Sequence, residues 1–200
     1  MRLVLASGSK TRKRILDQLL GFECEIVKST DEELSTKTDL SEYVMELSKI
    51  KANSASKQLT GEKCLIIAAD TIICLDNHKF EKPKSKKEAF ENIKKFSGKV
   101  NHAMTGVTIK DLYQNKEVTF FDKTEVHFRD VSDEDIEWYV NTDPHILERA
   151  GYSMADGKAS IFVEKIVGDY YNIIGLPLGK LYDNLRALGY SMKDFMLSKD

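Results

Sequence analysis

Six residues in this 200-residue chain have types and placements that invite chemistry: Ser9, Arg12, Lys51 and Lys82 on the donor and cationic side, and Asp70 with an acidic-loop carboxylate, Glu32, on the other. Asp70 stands out most. It interrupts Lys63–Leu75, a run otherwise apolar enough to read as a strand covered on both faces, and a carboxylate there is costly unless paired, hydrogen-bonded or metal-bound. An Asp held by backbone N–H groups at a bulge is the plain alternative. Cations together with carboxylates suit a phosphate-rich substrate and a divalent metal, with Mg²⁺ favoured by oxygen ligands and bound phosphate. That set of groups fits phosphoanhydride hydrolysis, in which a carboxylate orients or deprotonates water and cations balance the leaving group.

The elements that must position these groups follow from pattern. Leu3–Ala6 reads as a buried strand, Ser7-Gly8-Ser9 as a turn, and the residues after Ser9 as a helix capped by that serine. The stripe Ile15, Leu16, Leu19 places Arg12 on the inward side. Lys10, Arg12, Lys13 and Arg14 crowd a helix start that is already positive, so an anion is expected there; a solvated basic turn is the bland reading. Phe22–Val27 reads as a second strand, followed by the acidic stretch Asp31-Glu32-Glu33. Leu40–Leu59 reads as a long helix with Leu40, Val44, Leu47 and Ala55 on one stripe, and Lys51 falls on that stripe, where it needs a counter-charge unless its stem snorkels out.

Asp76–Lys79 reads as a turn, Phe80–Pro83 as an extended segment that stiffens Lys82, and Ser85-Lys86-Lys87-Glu88 as a capping box opening a helix that Gly98 ends. Val100–Leu112 and Glu117–Phe128 read as strands, Ser132–Asp135 as a second capping box, and Ala150–Ala159 as an irregular, substrate-facing loop. Ile161–Val167 and Tyr170–Ile174 read as strands joined at Gly168-Asp169. A last helix opens with Pro177 at its first position, carries the stripe Leu178, Leu181, Tyr182, Leu185, Leu188, and is closed by Gly189. Strands and helices alternate, so the fold class is α/β with a mixed sheet, in one domain over residues 1–200 that can form two lobes.

Composition narrows the function classes. The chain is 42% hydrophobic and 31% charged with a net charge of −2, which gives no electrostatic case for nucleic-acid binding. Cys64–Ala69, the longest apolar run, is far short of a membrane span, and the apolar stretch after Arg2 is too short for a signal peptide, so the expectation is a cytoplasmic protein with no membrane partner. Three cysteines without CxxC spacing point to buried free thiols, and the four scattered histidines to no ligand role.

The stretches LASGSKTRKRIL, AADTII, EKP, FSG followed by HAMTGV, and NIIGLPL resemble, in order and spacing from Leu3 to about Leu188, the Maf family of nucleotide pyrophosphatases within the Maf and HAM1 superfamily. The resemblance implies a long mixed sheet flanked by helices, with two lobes and a central cleft, similar to inosine triphosphate pyrophosphatases. It implies a cytoplasmic, often homodimeric enzyme that uses Mg²⁺ or Mn²⁺ to hydrolyse nucleoside triphosphates to monophosphate and pyrophosphate, in house-cleaning of dTTP, UTP, CTP or modified nucleotides. Carried over by position, the SxxR element is Ser9 and Arg12 with Lys13 as the nearest replacement cation, and the helix lysine is Lys51. The DT aspartate is Asp70, the EKP pair is Glu81 and Lys82, and the acidic-loop glutamate is Glu32, with Asp31 and Glu33 beside it. Asp70 is then the leading general base and, with Glu32, the metal-ligand pair; Glu32 is also a rival base.

Two departures bear on specificity. Ser9-Lys10-Thr11-Arg12 lacks the proline and second arginine of SPRR. Asp156 occupies the glutamine position of AGxYGIQG, the stretch typical of the dTTP- and UTP-acting subfamily. An acidic residue there resembles the sister subfamily that prefers 7-methyl-GTP, whereas AADT and EKP resemble the first. Other classes of function are a nucleotide-binding regulator of septum formation without turnover, and a general phosphatase releasing orthophosphate. A carboxylate cannot offer the amide donor that reads a pyrimidine carbonyl. Asp156→Gln is therefore expected to raise activity on dTTP and UTP relative to other nucleotides, and unchanged selectivity on a nucleotide panel would sink that assignment.

Overall fold

A computed structural model describes residues 1–31, 34–148, 150–155 and 157–196. Seven strands form one mixed sheet in the order β2-β1-β3-β5-β6-β7, with the short β4 hydrogen-bonded to β3. The strands are β1 (Leu3–Leu5), β2 (Cys24–Ile26), β3 (Leu65–Leu75), β4 (His78–Phe80), β5 (Val100–Asp111), β6 (Lys116–Phe128) and β7 (Val163–Val167). β1 pairs in parallel with both β2 and β3, whereas β4 on β3 and β7 on β6 are antiparallel. The helices are α1 (Lys10–Arg14), α2 (Leu40–Gln58), α3 (Lys86–Phe96), α4 (Asp133–Thr142), α5 (Tyr170–Ile173) and α6 (Leu178–Ala187). No helix among the described residues is long and apolar enough to cross a membrane.

The described residues divide into two compact units, the first drawn from 1–71, 105–122 and 175–196, the second from 72–104 and 123–174. In the first, β1 and β3 pack against α2 through Val4, Ala6, Ile66 and Ala68 on the sheet and Ala52, Ala55 and Leu59 on the helix. Small residues here allow close approach, and at Gly106 of β5 the approach is complete. A Cβ on Gly106 would run into the Val44 carbonyl and lie 2.6 Å from the Met45 nitrogen, so the α2 backbone rests directly on the strand. The tail beyond α6 returns to the same unit: a 3₁₀ turn at Met192–Phe195 stacks Phe195 on Phe22, ring centroids 5.0 Å apart, and Met196 bridges Phe22 beside β2.

The second unit is built around Phe96, whose ring lies 4.5 Å from Phe80, 5.8 Å from Phe128 and 5.6 Å from Tyr152. Tyr152 and Met154 are buried, so that part of the glycine-containing loop expected to face substrate is core. The buried Tyr152 hydroxyl donates to Asn101 Oδ1 at 2.7 Å, and burial raises its pKa. At the β3–β4 connection Asp76 and Asn77 adopt φ 50° and 63°, the pair of positive values a two-residue type I′ hairpin needs.

Local structure departs from the sequence reading at several points. Tyr170–Ile174 was expected as a strand; Tyr170–Ile173 is instead a helical turn, because Asp169 accepts from the Tyr171 N–H as an N-cap and Asn172 turns inward to donate to Ala103 O and Thr124 Oγ1, both at 3.0 Å. Lys158–Phe162 is 3₁₀, leaving only Val163–Val167 extended. The first helix widens to a π-helical turn over Ile15–Leu19, which rotates Leu19 out to solvent; Tyr182 is likewise exposed and leaves the α6 stripe to Leu181 and Leu185. Pro177 stands at the N-cap of α6, not inside it. The Ser85 box is half formed: Ser85 Oγ accepts from the Glu88 N–H, but the Glu88 carboxylate takes the Lys84 N–H at 2.7 Å.

Gly106→Ala must push α2 off β5, so the urea midpoint is expected to fall by the equivalent of roughly 1–3 kcal/mol, as for an overpacked core. Unchanged stability would mean that the helix does not sit on the strand backbone.

Candidate functional site

The long apolar strand and the long helix meet at a charge pair. Lys51 Nζ donates to Asp70 Oδ1 at 2.6 Å, with side-chain exposures of 12% for the lysine and 16% for the aspartate. Asp39 starts α2 by accepting from the Ser41 and Glu42 N–H groups, and the helix continues unbroken to bring Lys51 over the middle of β3. The counter-charge that the inward lysine and the strand carboxylate each required is thus the other. The ammonium engages Oδ1, and a carboxylate can accept at both of its oxygens, which is what a group that positions a water or binds a hard cation must do.

Thr71, the next residue of β3, leaves the opposite face of the strand. There it meets Arg12. Ser9 caps α1 by accepting from the Arg12 N–H at 3.3 Å, and the Arg12 side chain, 8% exposed, turns inward as its helical position predicts. All three guanidinium nitrogens donate within the protein: Nε to Gly175 O at 2.7 Å, Nη1 to Ser7 Oγ at 3.0 Å and Nη2 to Thr71 Oγ1 at 2.8 Å. Ser7 Oγ also accepts from the Ser9 N–H, and Thr71 Oγ1 lies 2.9 Å from Thr105 Oγ1 on β5. Gly175 has φ 108°, and a Cβ there would sit 3.2 Å from Arg12 Nε, so this turn needs glycine for its backbone and for the guanidinium. The fork of an arginine matches three acceptors that no point charge could serve together.

The remaining candidates are placed as follows. Lys13 pairs with Asp17 one turn on and donates to Cys24 O at 3.3 Å, so it serves its own helix end and not the Arg12 cluster. Glu81 pairs with Lys79 at 2.7 Å, and both Glu81 and Lys82 are exposed in the second unit. Glu32 and Asp156 lie outside the described residues. Among the described residues no three His, Cys, Asp or Glu side chains converge into a metal cage. A Mg²⁺ held by one or two carboxylates and completed by substrate phosphates needs no such cage, so Asp70 fits as its protein donor.

The thiols are inert: all three are free and buried, and burial together with Asp17 pushes the Cys24 thiol up to about 12. Sequence reasoning missed Ser7, Thr71 and Gly175 as partners of Arg12, and Thr105 as the hydroxyl behind Thr71. Thr71 and Gly175 do lie inside the quoted AADTII and NIIGLPL stretches, and a buried arginine demands several acceptors from somewhere.

Arg12→Lys replaces the fork with a single ammonium that cannot span all three acceptors, and about 1–3 kcal/mol of stability is expected to go with the buried group left poorly satisfied, the Gly175 carbonyl first. Urea unfolding reads this directly, and an unchanged midpoint would show that the fork does not hold the unit together.

Known proteins resemble this chain along nearly all of its length. A protein named dTTP/UTP pyrophosphatase from Thermoanaerobacter sp. (strain X514) is 39% identical over 186 residues, covering 93% of this chain and 96% of the relative. One of the same name from Fusobacterium nucleatum is 36% identical over 190 residues, covering 95% and 97%. Among solved structures, the Staphylococcus aureus Ham1 protein overlaps 65% of this chain and 73% of its own at 13% identity and a TM-score of 0.46, a likeness too weak to add to these. Residues 2–188 match the family described as Maf-like protein, and with relatives at this identity and coverage the chain belongs to that family.

Proposed function

We propose that this protein is a nucleoside triphosphate pyrophosphatase that hydrolyses the anhydride bond between the α and β phosphates, releasing nucleoside monophosphate and pyrophosphate. The observation that carries this reading is the Lys51–Asp70 pair: a strand carboxylate held at 2.6 Å by a helix ammonium is a positioned base, which a protein that only binds nucleotide does not need. Family membership and the names of the relatives support the same reaction.

In this reading Asp70 orients the attacking water and takes its proton, while Lys51 compensates the carboxylate charge and fixes its direction. Ser9 and the first turn of α1 face the phosphates, and Arg12 holds that turn against Thr71 and Gly175. Lys82, Glu81 and Lys13 are further contacts proposed from the family pattern. A divalent cation, Mg²⁺ or Mn²⁺, would be held by Asp70 with Glu32 and would supply polarisation of the phosphoryl group. A cytoplasmic homodimer is part of the same proposal.

For substrate, dTTP and UTP are the first choice because the relatives carry those nucleotides in their names. A 7-methyl-GTP preference is the second reading, on the single observation that Asp156 is acidic at the position where the dTTP- and UTP-acting subfamily carries glutamine.

Product analysis on common and modified nucleoside triphosphates with Mg²⁺ or Mn²⁺ tests the reaction. Wild type should give monophosphate and pyrophosphate, with Asp70→Asn lower by about 10²–10⁴-fold, the usual worth of a general base. Orthophosphate release would make the protein a general phosphatase, and no turnover by folded, metal-loaded protein would make it a nucleotide-binding regulator.

A further inference from the structure

The helix that carries Lys51 is seated on the sheet by a chain of hydroxyls, two of them fully buried, that the pyrophosphatase reading does not use. Ser48, one turn before Lys51 on the same inward face of α2, and Thr108, two residues after Gly106 on the same face of β5, are both fully buried. Their hydroxyls lie 2.9 Å apart, and Thr108 Oγ1 lies 3.0 Å from Thr119 Oγ1 on β6. Each hydroxyl has one proton, and this fixes the direction of the chain. Ser48 Oγ spends its proton on the Met45 carbonyl at 2.8 Å, so Thr108 must donate to Ser48, and Thr119 to Thr108.

Gly106 offers α2 a smooth backbone surface with no Cβ to interlock, so this contact sets the height of the helix but not its rotation or slide. The hydroxyl chain is the buried directional contact beside it; Lys110, donating to Asn53 Oδ1, and the Lys49–Glu117 pair tie α2 to β5 and β6 through longer, more exposed side chains. Asp70 lies on the same sheet face: its neighbour Thr71 meets Thr105 on one side of the sheet, which leaves Asp70 and Gly106 on the side of α2.

We propose that Ser48 and Thr108 are positioning residues for the reaction, fixing the rotation and register of α2 so that the Lys51 ammonium meets Asp70. This rests on the pyrophosphatase reading. Neither hydroxyl touches the reacting atoms, and a slip of about 1 Å in such a support can cost on the order of 10²-fold in rate.

Thr108→Val tests it, because valine keeps the shape and suits a strand while removing both the donor to Ser48 and the acceptor for Thr119. The expected result is a fall in kcat of about ten-fold with KM unchanged, restored by Thr108→Ser. Unchanged kcat, or a loss that Thr108→Ser does not restore, overturns the proposal. A hydroxyl with a merely structural role would move the urea midpoint and leave kcat alone. Should Thr108→Val fail to fold, Ser48→Ala carries the same expectations for kcat and KM, with unchanged kcat again overturning the proposal. If wild-type protein turns over no nucleotide, the functional reading fails by itself, and the seat is read from urea unfolding. There Thr108→Val and Lys51→Met must be non-additive, and additivity overturns the seat.

Discussion

A carboxylate set into the middle of an apolar strand is the constraint on which the first unit depends. Asp70, largely withdrawn from water within β3, is held there by a positive partner from a helix lying across the sheet. From this follow the length of α2, the small residues Ala52 and Ala55 on its inner face, and a glycine where its backbone meets β5. The helix approaches closely because the lysine must reach. On the other face Thr71 anchors a second buried cation, so two adjacent residues of one strand tie down elements on both sides of the sheet.

Much of this was legible in the sequence. Asp70 and Lys51 each broke a local rule, a charge inside an apolar run and a cation on an apolar stripe, and each turned out to be the answer to the other. Arg12 was placed inward by helical spacing alone. What sequence could not supply were the neutral partners: threonines, serines and glycines are common, and nothing in their types marks Thr71, Thr108 or Gly175 until a buried cation or a seated helix is found against them. The Tyr170–Ile174 segment was misread for a related reason. Its β-branched and aromatic composition suits a strand, yet the capping carboxylate of Asp169 and the inward amide of Asn172 outweigh propensity once tertiary partners exist.

The two units solve stability differently. The first relies on close backbone approach between small residues and on polar clamps, whereas the second fills its interior with aromatic rings around Phe96 and satisfies the buried Tyr152 hydroxyl through Asn101. The Tyr152 stretch therefore does structural work close to the position, Asp156, on which nucleobase selection is proposed to turn. Changes meant to alter selectivity sit a few residues from the packing of an aromatic core.

The described part of the tail beyond α6 packs beside β2, and this bears on how the protein behaves in a crowded solution. β2 is the outermost strand of the sheet, and an open strand edge is a template for another chain's backbone. The Met196–Phe22 bridge and the Phe195–Phe22 ring contact place residues 195 and 196 at that edge. Phe195 and Met196, past the end of the family match, thus cover the Phe22 end of that edge and leave less of it open to a second chain.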